Sequence, residues 1–208
     1  MKTFVTIIPL QGGAGLTSHL YKAVDNSKLQ MDVPTSFPVM TELHAFAQPG
    51  EEIRVLAILS DVNDSRNNLS KFTAELEAMQ EKIGFRCPRG VEIVNAPADA
   101  GVRSHIRTFQ QIIDLVEDNS ELYACMTYGT KTLSQLLIMA LQYAYRLLDN
   151  VYIGCLVYGR IDRENREIKG AYVNDMTALI QLDEITRLLA ANRVKDPRAA
   201  LEQIIEES

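Results

Sequence analysis

Two short stretches bring together residue types suited to holding an anion. The first is Met126-Thr-Tyr-Gly-Thr-Lys-Thr-Leu-Ser134, which sets hydroxyls, a glycine and a lysine within one turn. It follows an apolar run and opens a helical pattern. Free amides at a helix start, the positive end of the helix dipole and the Lys131 ammonium then converge on one negative group. Thr127, Thr130 and Ser134 add hydroxyl donors around Tyr128 and Gly129. The competing reading is purely structural, with Thr130 or Thr127 capping the helix and Lys131 solvated.

The second stretch is Gln11, Gly12, Gly13, Ala14, Gly15, Leu16, Thr17 and Ser18, a glycine-rich loop after a first strand. Its backbone amides suit phosphate oxygens. The G-x-x-x-x-G-K-S/T spacing is absent, and a dinucleotide fingerprint started at Gly13 puts Ser18 where the last glycine or alanine belongs. An ordinary glycine turn accounts for the loop as well as a phosphate cradle does. Ser60 and Asp61 close the next strand and join the candidate set.

These loops need a scaffold, and the hydrophobic pattern supplies one. Strands are expected at Phe4–Ile8, Ile53–Leu59, Val91–Val94, Leu122–Met126 and Val151–Val157, each a short apolar run. Helices are expected from Ser36 through Pro38 to Phe46, over 69–83 before Gly84, from Ile106 to Val116 after Gly101, and from Leu133 to Leu148. Residues 11–35 read as loop-rich. Arg160 to Lys169 reads as a charged turn, with Gly170 to Val173 pairing back as an edge strand. Such alternation predicts an α/β fold, a three-layer Rossmann-like, mainly parallel sheet with helices on both faces. Ligands then sit beyond the carboxyl ends of the strands. Residues 1–181 form the expected ligand-binding domain and 182–208 a helical tail, broken near Lys195-Asp-Pro-Arg198, that serves dimerisation or leads to a further domain.

The 208 residues hold 47% hydrophobic and 23% charged side chains, which fits one globular domain. Twenty-one Lys and Arg face 27 Asp and Glu, a net charge of -6 that argues against a broad duplex-DNA face but not against a small anion pocket. Cys87, Cys125 and Cys155 are widely spaced, and His19, His44 and His105 are dispersed, so neither a disulfide scaffold nor a metal site is expected. No apolar run approaches the roughly 20 residues a bilayer span needs. The expected setting is cytoplasmic, with no membrane partner. Arg86, Arg89, Arg103 and Arg107 are weaker candidates for a phosphate contact.

Along nearly its whole length the chain resembles the CRISPR-associated Rossmann fold (CARF) domain, in the branch with a D-x-T-H-G or T-G-G-T-K signature. Thr127-Tyr-Gly-Thr-Lys131 is similar to that signature, Ile53–Ser60 to its second strand, and Ala171-Tyr-Val-Asn-Asp-Met-Thr177-Ala-Leu179 to the segment entering its C-terminal helices. Cys125 stands where the family usually has Asp or Asn, and Tyr128 where it has His or Gly. The resemblance implies a homodimer that binds cyclic oligoadenylate, a tetra- or hexa-adenylate second messenger of type III CRISPR antiviral defence, across its two-fold axis. The sensor would need no cofactor and would regulate an attached or partner effector allosterically.

Some members also cut the ring without metal, through attack of a ribose 2′-hydroxyl on the adjacent phosphate. Lys131, Thr130, Thr17 and Ser18 are the residues such chemistry would use, as charge stabiliser and hydroxyl-orienting groups. Residue types alone leave that activity open. They also leave open an unrelated nucleotide- or phosphate-binding enzyme on the same fold. The R-x4–6-H ribonuclease motif common in the family's effectors is absent from these 208 residues.

Overall fold

The computed structural model describes residues 1–12, 16–60, 62–97, 101–165 and 167–206. Seven strands form one sheet: β1 (Lys2–Ile7), β2 (Lys22–Ala23), β3 (Ile53–Leu59), β4 (Val91–Asn95), β5 (Glu121–Cys125), β6 (Tyr152–Glu164) and β7 (Glu167–Asp175). Their order is β2-β7-β6-β5-β1-β3-β4, with every neighbouring pair parallel except β6 and β7. The chain leaves β1 toward β3 and β4, then returns to the other side of β1 to lay down β5 and β6. The reversal of strand order therefore falls between β1 and β5, whose carboxyl ends are where sheets of this kind take their ligands.

Both faces of the central strands are buried, which explains their nearly continuous apolar runs, broken in β3 only by Arg54 and in β1 by Thr3 and Thr6. On one face Phe4, Val55, Ala57, Tyr123 and Val157 pack with Leu43 and Phe72 from α1 (Val39–Phe46) and α2 (Ser65–Ile83). On the other, Val5, Ile7, Leu56, Ala124 and Leu156 meet Ile112, Leu137 and Ile180 from α3 (Val102–Leu115), α4 (Lys131–Leu147) and α5 (Thr177–Ala191). A last helix, α6 (Pro197–Glu206), follows a break at residues 192–196. The three-layer Rossmann-like reading holds.

Four local expectations need correction. Arg160 to Lys169 is not a turn: β6 runs to Glu164 and β7 begins at Glu167, so the two form a long antiparallel arm. Its outer residues, 163–165 and 167–169, are exposed on both faces, so they are mostly charged or polar, whereas Ile161 still packs against the core on the α1 side. β7 is not an edge, because Lys22 and Ala23 of β2 pair with its Tyr172 and Val173. Ser36 does not cap α1. Its amide instead donates to Glu75 Oε1 on α2 at 3.1 Å, and Pro38 takes the cap position. α5 also begins at Thr177, inside the segment assigned to the ligand-binding domain, and its Thr177 Oγ1 accepts from the Leu156 amide of β6 at 2.9 Å.

Candidate functional site

The turn after β5 is held by its own residues from below and opens upward at Lys131. Gly129 adopts φ +91°, and a Cβ there would lie 2.7 Å from Ile7 Cγ2 of β1. Only glycine lets the turn lie this close to the central strand without strain. Thr130 then caps α4, its Oγ1 accepting from the Leu133 amide at 3.3 Å and lying 2.8 Å from Thr132 Oγ1. The amides of Lys131 and Thr132 are left without an intrahelical acceptor. The first turn of α4 carries no acidic residue to offset the dipole. Lys131 is exposed and has no ion-pair partner among the described residues. A cation placed at the positive end of a helix stabilises nothing in the fold itself, and both features favour an incoming anion.

Other members of the predicted set turn inward. Thr127 Oγ1 accepts from the buried Gly159 amide at 2.7 Å and lies 3.1 Å from Cys125 Sγ. Gly159 is needed here because a Cβ would sit 2.3 Å from Pro38 Cγ, so β6, the start of α1 and Thr127 interlock. Tyr128 donates its hydroxyl to the Ser36 carbonyl at 2.7 Å and packs edge-on against Phe37. Burial raises its phenol above the ordinary tyrosine value, so Tyr128 is a neutral packing group. Ser134 donates to the Met126 carbonyl at 3.3 Å. These three hold the turn in place, and the groups left to meet a ligand are the helix-start amides, Thr130 and Lys131.

Across the switch point, Asn68 of α2 fastens the first loop. Its side-chain amide, nearly fully buried, donates to the Pro9 and Gln11 carbonyls at 2.8 and 2.9 Å. Gln11 and Gly12 are exposed, and a Cβ on Gly12 would lie 3.2 Å from Asp64 Oδ2. That carboxylate makes this end of the loop better suited to a ribose hydroxyl or a base amine than to a phosphate. Leu16 is a core side chain, 8% exposed, so only its backbone can face a ligand. Thr17 and Ser18 are exposed, and Thr17 Oγ1 hydrogen-bonds His19 Nε2 at 2.7 Å. Burial, with Arg163 beside it, holds His19 below its usual pKa and therefore neutral at pH 7. Ser60 is buried and its carbonyl accepts from the Val62 amide at 2.8 Å. The candidates Gly13, Ala14, Gly15 and Asp61 lie outside the described residues.

Beneath the turn lies a buried acidic cluster that the residue pattern did not point to. Glu42 of α1 is fully buried, and neither carboxylate oxygen has a hydrogen-bond partner. Burial pushes its carboxyl well above the usual range, and Asp175 adds to the effect, so the fold favours the protonated form of Glu42. Burial and Glu42 also push the Cys125 thiol up to about 12, which makes it an inert packing group. Asp175 stays below its usual value because Thr177 and Asn26 donate to it.

Arg86 and Arg89 are paired with Glu52 and Glu117, at 3.1 and 2.7 Å, rather than aimed at the switch point. Among the described residues no group of three or more His, Cys, Asp or Glu is arranged to hold a metal, and no helix is long and apolar enough to cross a membrane. Fold and site together define a Rossmann-like α/β domain with an anion-ready turn at its switch point. No family model and no curated protein matches the chain.

Proposed function

We propose that this chain is a sensor domain for cyclic oligoadenylate, acting as a homodimer in type III CRISPR antiviral signalling and regulating an attached or partner effector. The observation that carries the reading is the turn after β5: a glycine-locked loop at the switch point that presents two free helix-start amides and an unpaired Lys131. One such turn suits a single phosphate. A ring with rotational symmetry is matched by two copies facing each other across an isologous interface. The loop at Gln11–Gly12, with Asp64 behind it, is suited to the ribose and base side of the same ligand. Net negative charge elsewhere does not oppose this, because the field that matters is local.

Cleavage of the bound ring would proceed by in-line attack of a ribose 2′-oxygen on the adjacent phosphorus, forming a 2′,3′-cyclic phosphate as the P–O5′ bond breaks; the 2′-hydroxyl proton passes to water and the leaving 5′-oxygen takes one from water, with Lys131 and the α4 amides stabilising the charge on the non-bridging phosphate oxygens. Thr130, exposed at the start of α4, and Thr17 and Ser18, exposed on the neighbouring loop, are the hydroxyls that would orient the attacking group. Incubation with cyclic tri-, tetra- and hexa-adenylate in the presence of chelator, followed by chromatography with mass detection, tests both parts. Retention of an intact ring supports the sensor, and linear products ending in a cyclic phosphate add ring cleavage. If no ring is either retained or changed, the reading fails.

A further inference from the structure

The β6–β7 arm does more than close the sheet. β5 ends at Cys125, which pairs with Val157. The residues of β6 from Tyr158 onward therefore stand beyond the carboxyl ends of the parallel strands, on the side of the anion-ready turn. Alternation along β6 decides what each presents. Val157 and Gly159 face α1, while Leu156 packs in the core under α4 and α5. Tyr158 and Arg160 accordingly share the α4–α5 face.

That face borders the anion-ready turn. The Met126 amide donates to the Val157 carbonyl at 3.0 Å, which carries the β5–β6 register one step further and sets Met126 beside Tyr158. The Met126 carbonyl in turn accepts from Ser134 in the first turn of α4. Tyr158 is thus one strand spacing from the residue on which the start of α4 rests. Tyr158 is 39% exposed, and neither its ring nor its hydroxyl has a partner among the described residues. One rung along, the Arg160 guanidinium lies 4.9 Å from the centroid of its cross-strand partner Tyr172 and is held by Asp162 at 2.7 and 3.0 Å. An unused aromatic face and a planar, pre-ordered guanidinium, side by side next to an anion site, are what a nucleobase stacks on.

We propose that Tyr158 and Arg160 form a stacking platform for a purine base of the ligand whose phosphate is held at the Thr127–Lys131 turn. The site then recognises a nucleotide by its base as well as by its charge. This inference rests on the sensor reading above and adds to it a specificity surface on the arm.

The sequence contains no tryptophan, so Tyr158→Trp creates a single fluorescent reporter at the platform. Titration with cyclic tetra-adenylate, or with cyclic hexa-adenylate if the smaller ring is not retained, should quench this tryptophan in step with binding followed by equilibrium dialysis. Inorganic pyrophosphate, which has no base, should leave its emission unchanged. Tyr158→Ala should weaken ring binding by about 5- to 150-fold, the range for losing one base stack, and Tyr158→Phe should preserve it. A ring that binds without quenching and with equal affinity for the alanine variant overturns the platform and leaves the sensor reading standing. Loss of binding that accompanies loss of the dimer in light scattering also overturns it. If the wild-type chain retains no ring, the sensor reading falls and the platform falls with it.

Discussion

Gly129→Ala is the sharpest perturbation of the turn. The wild-type φ of +91° lies where an L side chain is strained, at a cost of roughly 1–2 kcal/mol. The added Cβ would also stand 2.7 Å from Ile7 Cγ2, and Ile7 is a 1%-exposed residue of a central strand that has little room to yield. Overpacking of that kind costs about 1–3 kcal/mol. Together they give about 2–5 kcal/mol. For a domain of this length each kcal/mol lowers Tm by roughly 2–4 °C, so a fall of about 4–20 °C is expected in a calorimetric or circular-dichroism melt. Ile7→Ala removes the clashing atom at the price of a cavity. In the double variant Gly129→Ala should therefore cost less than it does alone, the surviving part being the backbone strain. A Gly129→Ala melt within 1 °C of wild type would refute the claim that the turn needs glycine against β1.

Lys131→Ala should weaken ring binding roughly tenfold or more, as loss of a charge-assisted contact does. Its Tm should stay level or rise slightly, because a cation leaves the positive end of a helix; a large destabilisation would make Lys131 a structural residue. Thr127→Val should cost about 1–3 kcal/mol in urea unfolding by stranding the buried Gly159 amide, whereas Thr127→Ser should remain near wild type. Equal stability of the two variants would contradict that role. Glu42 provides a pH test. Its folded-state pKa is raised, so the native chain holds this proton more tightly than the unfolded chain. Its contribution to stability is complete below the unfolded value of about 4.3 and is lost as pH rises toward the folded value. Asp175 has the opposite sign, and its contribution is already in place above about pH 5. Between pH 5 and 8 the urea midpoint of the wild type should fall with pH relative to that of Glu42→Gln, the opposing contribution of His19 being common to both; parallel slopes would rule Glu42 out as the cause.

Much of the scaffold was legible because the central strands are buried on both faces. Ile53–Leu59 reads as one nearly continuous apolar run and is β3 without change. Gly84 likewise ends α2, but the helix starts at Ser65, before the apolar spacing begins at Leu69. The β6–β7 arm was not legible: with solvent on both faces of its outer residues, strand alternation leaves no apolar stripe, and Arg160 to Lys169 looks like a turn. The two-residue β2 is made by pairing with β7 alone and has no local signal.

At the site, Gly129, Thr130 and Lys131 were readable because a glycine turn and a helix start depend on local chemistry. The inward directions of Thr127 and Tyr128 were not, since they are set by Gly159 and by the Ser36 carbonyl, both distant in sequence. Nor did any pattern mark Asn68, whose contacts to Pro9 and Gln11 exist only once α2 packs against β3, beside the loop that leaves β1. Glu42 sits in an amphipathic helix where a carboxylate ordinarily faces water, and only the packing of α1 against β5 and β6 reveals it as buried.

Native mass spectrometry of the purified chain with cyclic tetra- and hexa-adenylate tests the central claim most directly, because it reads ligand and assembly together. The account predicts one ring per two chains, with the ring lost from the Lys131→Ala protein. A chain that stays free of every ring, or that binds AMP or a linear dinucleotide in preference at one per monomer, would contradict it.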